Sequence, residues 1–251
     1  MVWLKTWLDT RWRFLLGFGL LLLTACGIIV SYVQVEQLIP MVRATNVPEG
    51  PLTQRIEEAM ELQSTFNGFV WSQWFRGNLT TLATVLAAIL GSGSALGSGR
   101  GVTFSLALPV SRTRWVTARA TLGLAQLLVL VLVPSLGIVL LAPVIGHSYS
   151  LVTAIVHSLS LFVVSAVFFA CAMFMSTVFS GVLRPVLITC VIAIVLGMFE
   201  AFVPHRGLFT TMSAETYFDN GMLPWVGWLV SIALTGGLLY SAVANVERRD
   251  F

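Results

Sequence analysis

Residues 91–123 read GSGSALGSGRGVTFSLALPVSRTRWVTARATLG. The stretch joins two long apolar runs. It holds Arg100, Arg112, Arg114 and Arg119 and no acidic residue. That much charge is costly in hydrocarbon. Yet Val102, Phe104, Leu106, Leu108 and Val110 make it too apolar for a plain solvated loop. Its middle reads as a short amphipathic helix along a membrane surface, re-aimed at Pro109, whose ring removes a donor. Ahead of it Gly91, Ser92, Gly93, Ser94, Ala95, Gly97, Ser98 and Gly99 are all small. Small residues let helices approach closely in a bilayer, so Gly91, Gly93 and Gly97 are the expected packing positions.

Composition agrees with that setting. The chain is 57% hydrophobic and 10% charged, with a mean hydropathy of +0.90. A soluble domain carries about 25% charged residues. This is the composition of an integral membrane protein. Cys26, Cys171 and Cys190 all fall within apolar runs, where they act as small hydrophobes with no metal-ligand spacing. At 251 residues there is room for one membrane domain, 1–251, and no soluble catalytic one.

A span needs about 20 mainly apolar residues. Phe14 to Val33 carries no charge and makes the first. It is longer than the roughly 7–15 apolar residues of a signal peptide, so it is expected to stay in the mature chain. Residues 1–13 combine Lys5, Arg11 and Arg13 with Trp3, Trp7 and Trp12, the pattern of a segment lying at the interface. Residues 34–76 are the long polar segment. Within it Ile56, Ala59, Met60, Leu62, Phe66, Phe69 and Val70 oppose Arg55, Glu57, Glu58 and Glu61, which predicts an amphipathic outer helix. Trp71 and Trp74 are expected at the far interface. The second span follows from about Gly77 to Leu96. The third runs from Ala120 to Ile145, with a kink expected at Pro134. The fourth covers Leu151 to Phe179. Pro185, suited to a helix's first turn, opens the fifth, which reaches Val203. Residues 204–222 read as an outer loop, and Leu223 to Val243 is the sixth span.

The predicted fold is thus an all-α integral membrane protein with six transmembrane helices. Charge supplies an independent check. If spans alternate, ten of the 14 Lys and Arg residues fall on one side with three acids. Arg43, Arg55, Arg76 and Arg206 fall on the other, with the remaining eight acids. The positive-inside rule makes the first side cytoplasmic, so both termini and residues 98–119 are expected there.

Several chemistries are disfavoured. A phosphate loop needs a Lys after its last glycine, and Lys5 is the sole Lys of the chain. Gly91-Ser92-Gly93-Ser94 is not the Gly-x-Ser-Gly turn of an intramembrane serine protease. His157 lies inside a span near its outer end and reads as a packing or interfacial residue, not a base. No HExxH or acidic pair lies within a span, so no catalytic or metal residue is assigned. Glu200 reads as an interfacial carboxylate. Gln126 would bond a neighbouring helix or line a path. Ion-driven carriers need buried ionisable groups, which these spans lack.

One resemblance goes further. Gly99-Arg100-Gly101-Val102-Thr103, with Leu106-Ala107-Leu108-Pro109-Val110-Ser111-Arg112-Thr113-Arg114 and a following span, resembles the signature region of type-2 ABC exporter permeases. The ending Glu247-Arg248-Arg249-Asp250-Phe251, the chain length and the expected topology resemble that family too. Members often carry an acid before the Gly-x-Thr element, where this chain has Ser98, Gly99 and Arg100.

The resemblance implies a permease that pairs with a second permease copy or homologue. Two copies of a separate ABC ATPase subunit would bind the pair, and those subunits would hold ATP and Mg. This chain would carry no cofactor and no ATPase site. The segment between the second and third spans would be a coupling helix seated on the ATPase. Leu106, Leu108 and Val110, with Phe104, would form its apolar seat, and Arg112 and Arg114 its polar contacts. The alternative reading of the same arginines is a positive-inside anchor that touches only lipid headgroups. The implied setting is a bacterial or archaeal inner membrane, with lipid and not nucleic acid around the chain. A scaffold or sensor that uses the ATPase for signalling, moving nothing, fits the same features.

Overall fold

A computed structural model describes residues 2–43, 60–93, 112–179, 181–202 and 207–248. Every regular element among them is helical. Five helices are long and apolar enough to cross a membrane, with cores at 3–37, 113–145, 151–178, 183–202 and 225–247. The chain is therefore an all-α, multi-pass type of protein.

Helix α1 (Val2–Arg43) is 42 residues long. At about 1.5 Å per residue it outruns a hydrocarbon core of about 30 Å twofold. It passes through Arg13 and Phe14 without a break, so residues 2–13 are its opening turns and not a separate element. Leu21, Ala25, Ile28, Ile29 and Tyr32 form its buried stripe at helical spacing. Leu16, Leu20, Leu23 and Val30 face outward, where only a lipid-like solvent suits them.

The next helical run begins earlier than the hydropathy indicates. Thr65 caps α2 (Phe66–Phe69), its hydroxyl accepting the Gly68 N–H at 3.2 Å. A ten-residue π-helix, Val70–Leu79, follows and leads into α3 (Thr80–Gly91). The side chains of Asn78 and Thr80 donate to the Gln73 and Phe75 carbonyls at 2.8 and 2.6 Å. Each bond reaches back five residues, as widened turns allow. The wide turns bury Trp71 and Trp74 completely. This corrects the interfacial reading of the two tryptophans. An indole needs an acceptor for its N–H, and protein groups supply both: the Ser213 carbonyl for Trp71 and the Ser135 hydroxyl for Trp74, each at 3.1 Å.

Helix α4 (Arg112–Leu141) includes Pro134 and closes in a 3-10 turn, Ala142–Ile145, with Gly146 at φ +79°. Helix α5 (Leu151–Val178) is the hub, packed against α3 and α4. It is 67% buried over its apolar window. Helix α6 (Leu183–Phe202), after the Gly181 turn, is 17% buried by the same measure. The expected outer loop is folded into α7 (Leu208–Met212) and α8 (Glu215–Asn220), both packed near the bundle end. Helix α9 (Trp225–Glu247) completes the set and packs along α5.

Side-chain pairs fix directions. Trp228 Nε1 donates to Ser160 Oγ at 3.1 Å, and Asn245 Nδ2 to Thr177 Oγ1 at 2.8 Å. Both pairs are 68 residues apart, so α5 and α9 run parallel in fixed register. Phe75, in the π-helix that leads into α3, meets His157, and Gly91 at the end of α3 meets Phe169, so the continuous run Val70–Gly91 and α5 are parallel. Trp74–Ser135 and Gly93–Arg119 make α3 and α4 antiparallel. The 94–111 segment therefore leaves and re-enters at one end of the bundle.

Three glycines set the spacing. A Cβ on Gly17 would fall 2.8 Å from Leu86, one on Gly91 would overlap the Phe169 carbonyl, and one on Gly123 would meet the Phe169 ring. Gly91→Ala is expected to lower stability by about 1–3 kcal/mol through overpacking. Gly19→Ala, with open space around it, is expected to be neutral or slightly stabilising through helix propensity. Thermal unfolding in a mild detergent distinguishes the two.

Candidate functional site

The two ends of the bundle concentrate the polar groups. At the end where residues 94–111 emerge, α3 stops at Gly91 and Ser92. The Ser92 hydroxyl donates to the Ile89 carbonyl at 3.0 Å. Arg13 of α1 donates to the same carbonyl at 3.4 Å. Cations suit this position, because a helix C-terminus carries a partial negative charge. Arg119 of α4, only 8% exposed, lies across Gly93. Its guanidinium fills the space a Gly93 side chain would take. It also approaches the Trp115 ring at 6.0 Å. Two turns further along α4, Gln126 Nε2 donates to Thr10 Oγ1 at 2.9 Å, and Thr10 donates to the Thr6 carbonyl at 3.0 Å. The Gln126 side chain therefore bonds a neighbouring helix. Its Oε1 is buried without a partner.

Of the sequence-derived positions, Gly91, Gly93, Arg112 and Arg114 fall at this end. Gly91 packs against the α5 backbone and Gly93 against Arg119. Arg112 is the first residue of α4, and Arg114, two residues on, is exposed. Phe104, Leu106, Leu108, Val110 and Gly97 lie outside the described residues, as does most of the expected 98–119 segment. Pro134 sits within α4, next to Ser135. Ser135 Oγ donates to the Val131 carbonyl at 2.8 Å while accepting from Trp74.

The other end is built on one carbonyl. Ser213 O accepts from Trp71 Nε1 and from His157 Nδ1, each at 3.1 Å. A carbonyl only accepts, so His157 carries its proton on Nδ1. Its Nε2 is buried without a partner, among Phe75 and Tyr217 at ring distances of 4.8 and 5.6 Å. Trp71 stacks on Phe218 at 4.3 Å. The Glu200 carboxylate accepts from the Leu208, Phe209 and Thr210 N–H groups and caps α7. A Cβ on Gly207 would overlap that carboxylate, so the residue before α7 has to be small. Arg76 and Glu215 approach at 3.8 Å, with Arg76 58% exposed, a pairing of little energetic weight.

Among the described residues, neither end brings a nucleophile together with an adjacent base. No group of three or more His, Cys, Asp or Glu side chains converges among the described residues. What the arrangement does is mechanical: it fastens α1, α3 and α4 together where residues 94–111 leave, and α3, α5 and α7 together at the far end. The Ser213 node and the Arg13–Arg119 approach were invisible to sequence reasoning, since each joins residues remote in the chain. No protein-family model matches the chain, and neither a curated protein nor a solved structure matches it significantly.

Two measurements probe these contacts. A double-mutant cycle of Trp74→Phe with Ser135→Ala is expected to give a coupling of about 0.6 kcal/mol, with about 1.7 as a ceiling. At the loop before α5, burial lifts the Tyr149 phenol above its ordinary 10.0, and Tyr217 nearby adds to the effect. The folded phenol stays neutral while the unfolded one ionises. Its share of stability is therefore present below pH 10 and lost as pH rises beyond it, by at most about 1.4 kcal/mol per unit. Tyr149→Phe is expected to flatten that alkaline loss in unfolding titrations.

Proposed function

We propose that this chain is the permease subunit of an ATP-driven ABC exporter. It would pair with a second permease and couple to separate ATPase subunits that hold ATP and Mg. The observation that carries the reading is the stretch from Gly99 to Arg114, with its Leu106-Ala107-Leu108-Pro109-Val110-Ser111-Arg112 core, between two antiparallel membrane helices. Taking the run Phe66–Gly91 as a span beside the five long helices gives six, with both termini on the side of residues 94–111. The surplus of Lys and Arg on that side supports a cytoplasmic assignment.

In this reading, residues 104–114 seat on the ATPase and act as a lever. Leu106, Leu108 and Val110 supply apolar contact, and Arg112 and Arg114 supply charge. Closure of the ATPase pair on ATP would displace the segment. The Gly93–Arg119 and Arg13–Ile89 contacts would pass that displacement to α1, α3 and α4. Energy enters only through a different affinity of the ATPase for each state of the membrane helices.

Gentle solubilisation and affinity capture of the full chain is the test. A stoichiometric soluble subunit with ATPase activity is expected, and Leu108→Glu or Arg112→Glu is expected to release it while the permease elutes unchanged on gel filtration. Capture of the chain without any nucleotide-binding partner, under several mild conditions, would overturn the reading. Nucleotide-dependent conformational change with no substrate flux in vesicles would instead assign the scaffold or sensor role.

A further inference from the structure

The knee between α7 and α8 is held in place against its own backbone. Ala214, which joins the two helices, sits at φ +50° and ψ +45°. It is the one non-glycine residue with positive φ among the described residues. A Cβ crowds the following carbonyl in that conformation, which disfavours it about fivefold or more. Such strain persists only where the surroundings over-determine it, and it gathers at switch regions. Here four elements grip the knee. Trp71 of the π-helix and His157 of α5 both donate to the Ser213 carbonyl. Thr84 of α3 reaches Met212 Sδ at 3.9 Å. Gly227 of α9 leaves room for Thr211, since a Cβ there would overlap the threonine side chain. Met212, Ser213 and Ala214 are buried as a result.

What is gripped has little stability of its own. Helices α7 and α8 are five and six residues long, too short to hold in isolation. Gly207 and Gly221 bound the segment. Gly221 turns at φ +69° in open space, with nothing within 4 Å of a Cβ built there. The seat lies at the bundle end. Arg76, 58% exposed, covers the Trp71 ring at 5.4 Å, so water can satisfy the indole and imidazole N–H groups once the carbonyl leaves. Two interhelical hydrogen bonds hold the knee by about a factor of three each. The strain at Ala214 offsets them. The Met212 side chain and the Phe218–Trp71 stack are left to keep the knee seated.

We propose that residues 207–221 are a strained plug that leaves the bundle end as a unit while the long helices stay folded. Its withdrawal relaxes Ala214 and uncovers a seat walled by Trp71, Phe75 and His157. The plug is a property of this chain and stands whether or not an ATPase docks on residues 94–111.

Hydrogen exchange of the full chain in a neutral detergent, read by mass spectrometry, tests the plug. The Ser213, Ala214, Tyr217 and Phe218 amides are bonded within the knee, so their exchange requires it to open. Peptides covering 208–220 are expected to exchange at least about a hundredfold faster than those of α5. Trp71→Phe removes one donor and is expected to speed the knee about threefold. Ala214→Gly relieves the strain and is expected to slow it about threefold. Both variants are expected to leave α5 exchange unchanged. A knee that exchanges as slowly as α5, or variants that move knee and α5 together, would make the segment part of the fixed bundle and overturn the plug. Faster knee exchange in Ala214→Gly would show that no strain is stored there and overturn it equally.

Discussion

The close approach of α3 and α4 to α5 at Phe169 is the contact on which the bundle's geometry depends. Gly91 meets the Phe169 carbonyl and Gly123 meets its ring, from two different helices. In hydrocarbon, helices gain nothing by hiding apolar surface from lipid, so association rests on van der Waals fit and polar bonds. A side chain at either glycine would push a helix away from α5. The spacing there decides where α3 ends and where α4 begins. It thereby fixes the two points between which residues 94–111 must run. Gly93, two residues on, repeats the device on a cation: the absent side chain is what lets Arg119 lie across the helix end.

Polar pairs then set register within that spacing. Trp74–Ser135, Trp228–Ser160, Asn245–Thr177 and Gln126–Thr10 each join two helices through one hydrogen bond. Each is worth about 0.6 kcal/mol on average in a membrane, so none dominates stability. Their value is positional. A helix sliding by one turn would strand an indole or amide N–H where no water can reach it. The Ser213 carbonyl does the same for the folded outer segment, holding Trp71 and His157 at once.

The long apolar helices were legible because hydrocarbon imposes length: α5, α6 and α9 match runs visible in the sequence to within a few residues, while α4 starts eight residues ahead of the expected Ala120. The π-helix at Val70–Leu79 was not, since no residue pattern announces a ring that closes over five residues. Trp71 and Trp74 were misplaced for a related reason. Their polar N–H suggests a water-facing rim, and nothing local reveals that Ser213 and Ser135, far along the chain, supply acceptors inside. The outer loop at 204–222 looked unstructured because α7 and α8 are too short for periodicity to register. Glu200, which caps α7, was read as an interfacial acid, but its backbone partners could not be foreseen. Residues 94–111, read from charge, apolar pattern and resemblance, lie outside the described residues.

The matched bonds between α5 and α9 have a mechanical meaning. Trp228–Ser160 and Asn245–Thr177 lie at opposite ends of the helix pair with the same offset. They behave as two rungs of a ladder. Sliding one rail breaks both rungs together, and twisting it carries both donors off the shared side. The pair is therefore a single strut, and any working stroke of the bundle has to carry it whole. Helix α6, hinged to that strut by the Gly181 turn and 17% buried over its apolar window, is the rail with least to lose by swinging.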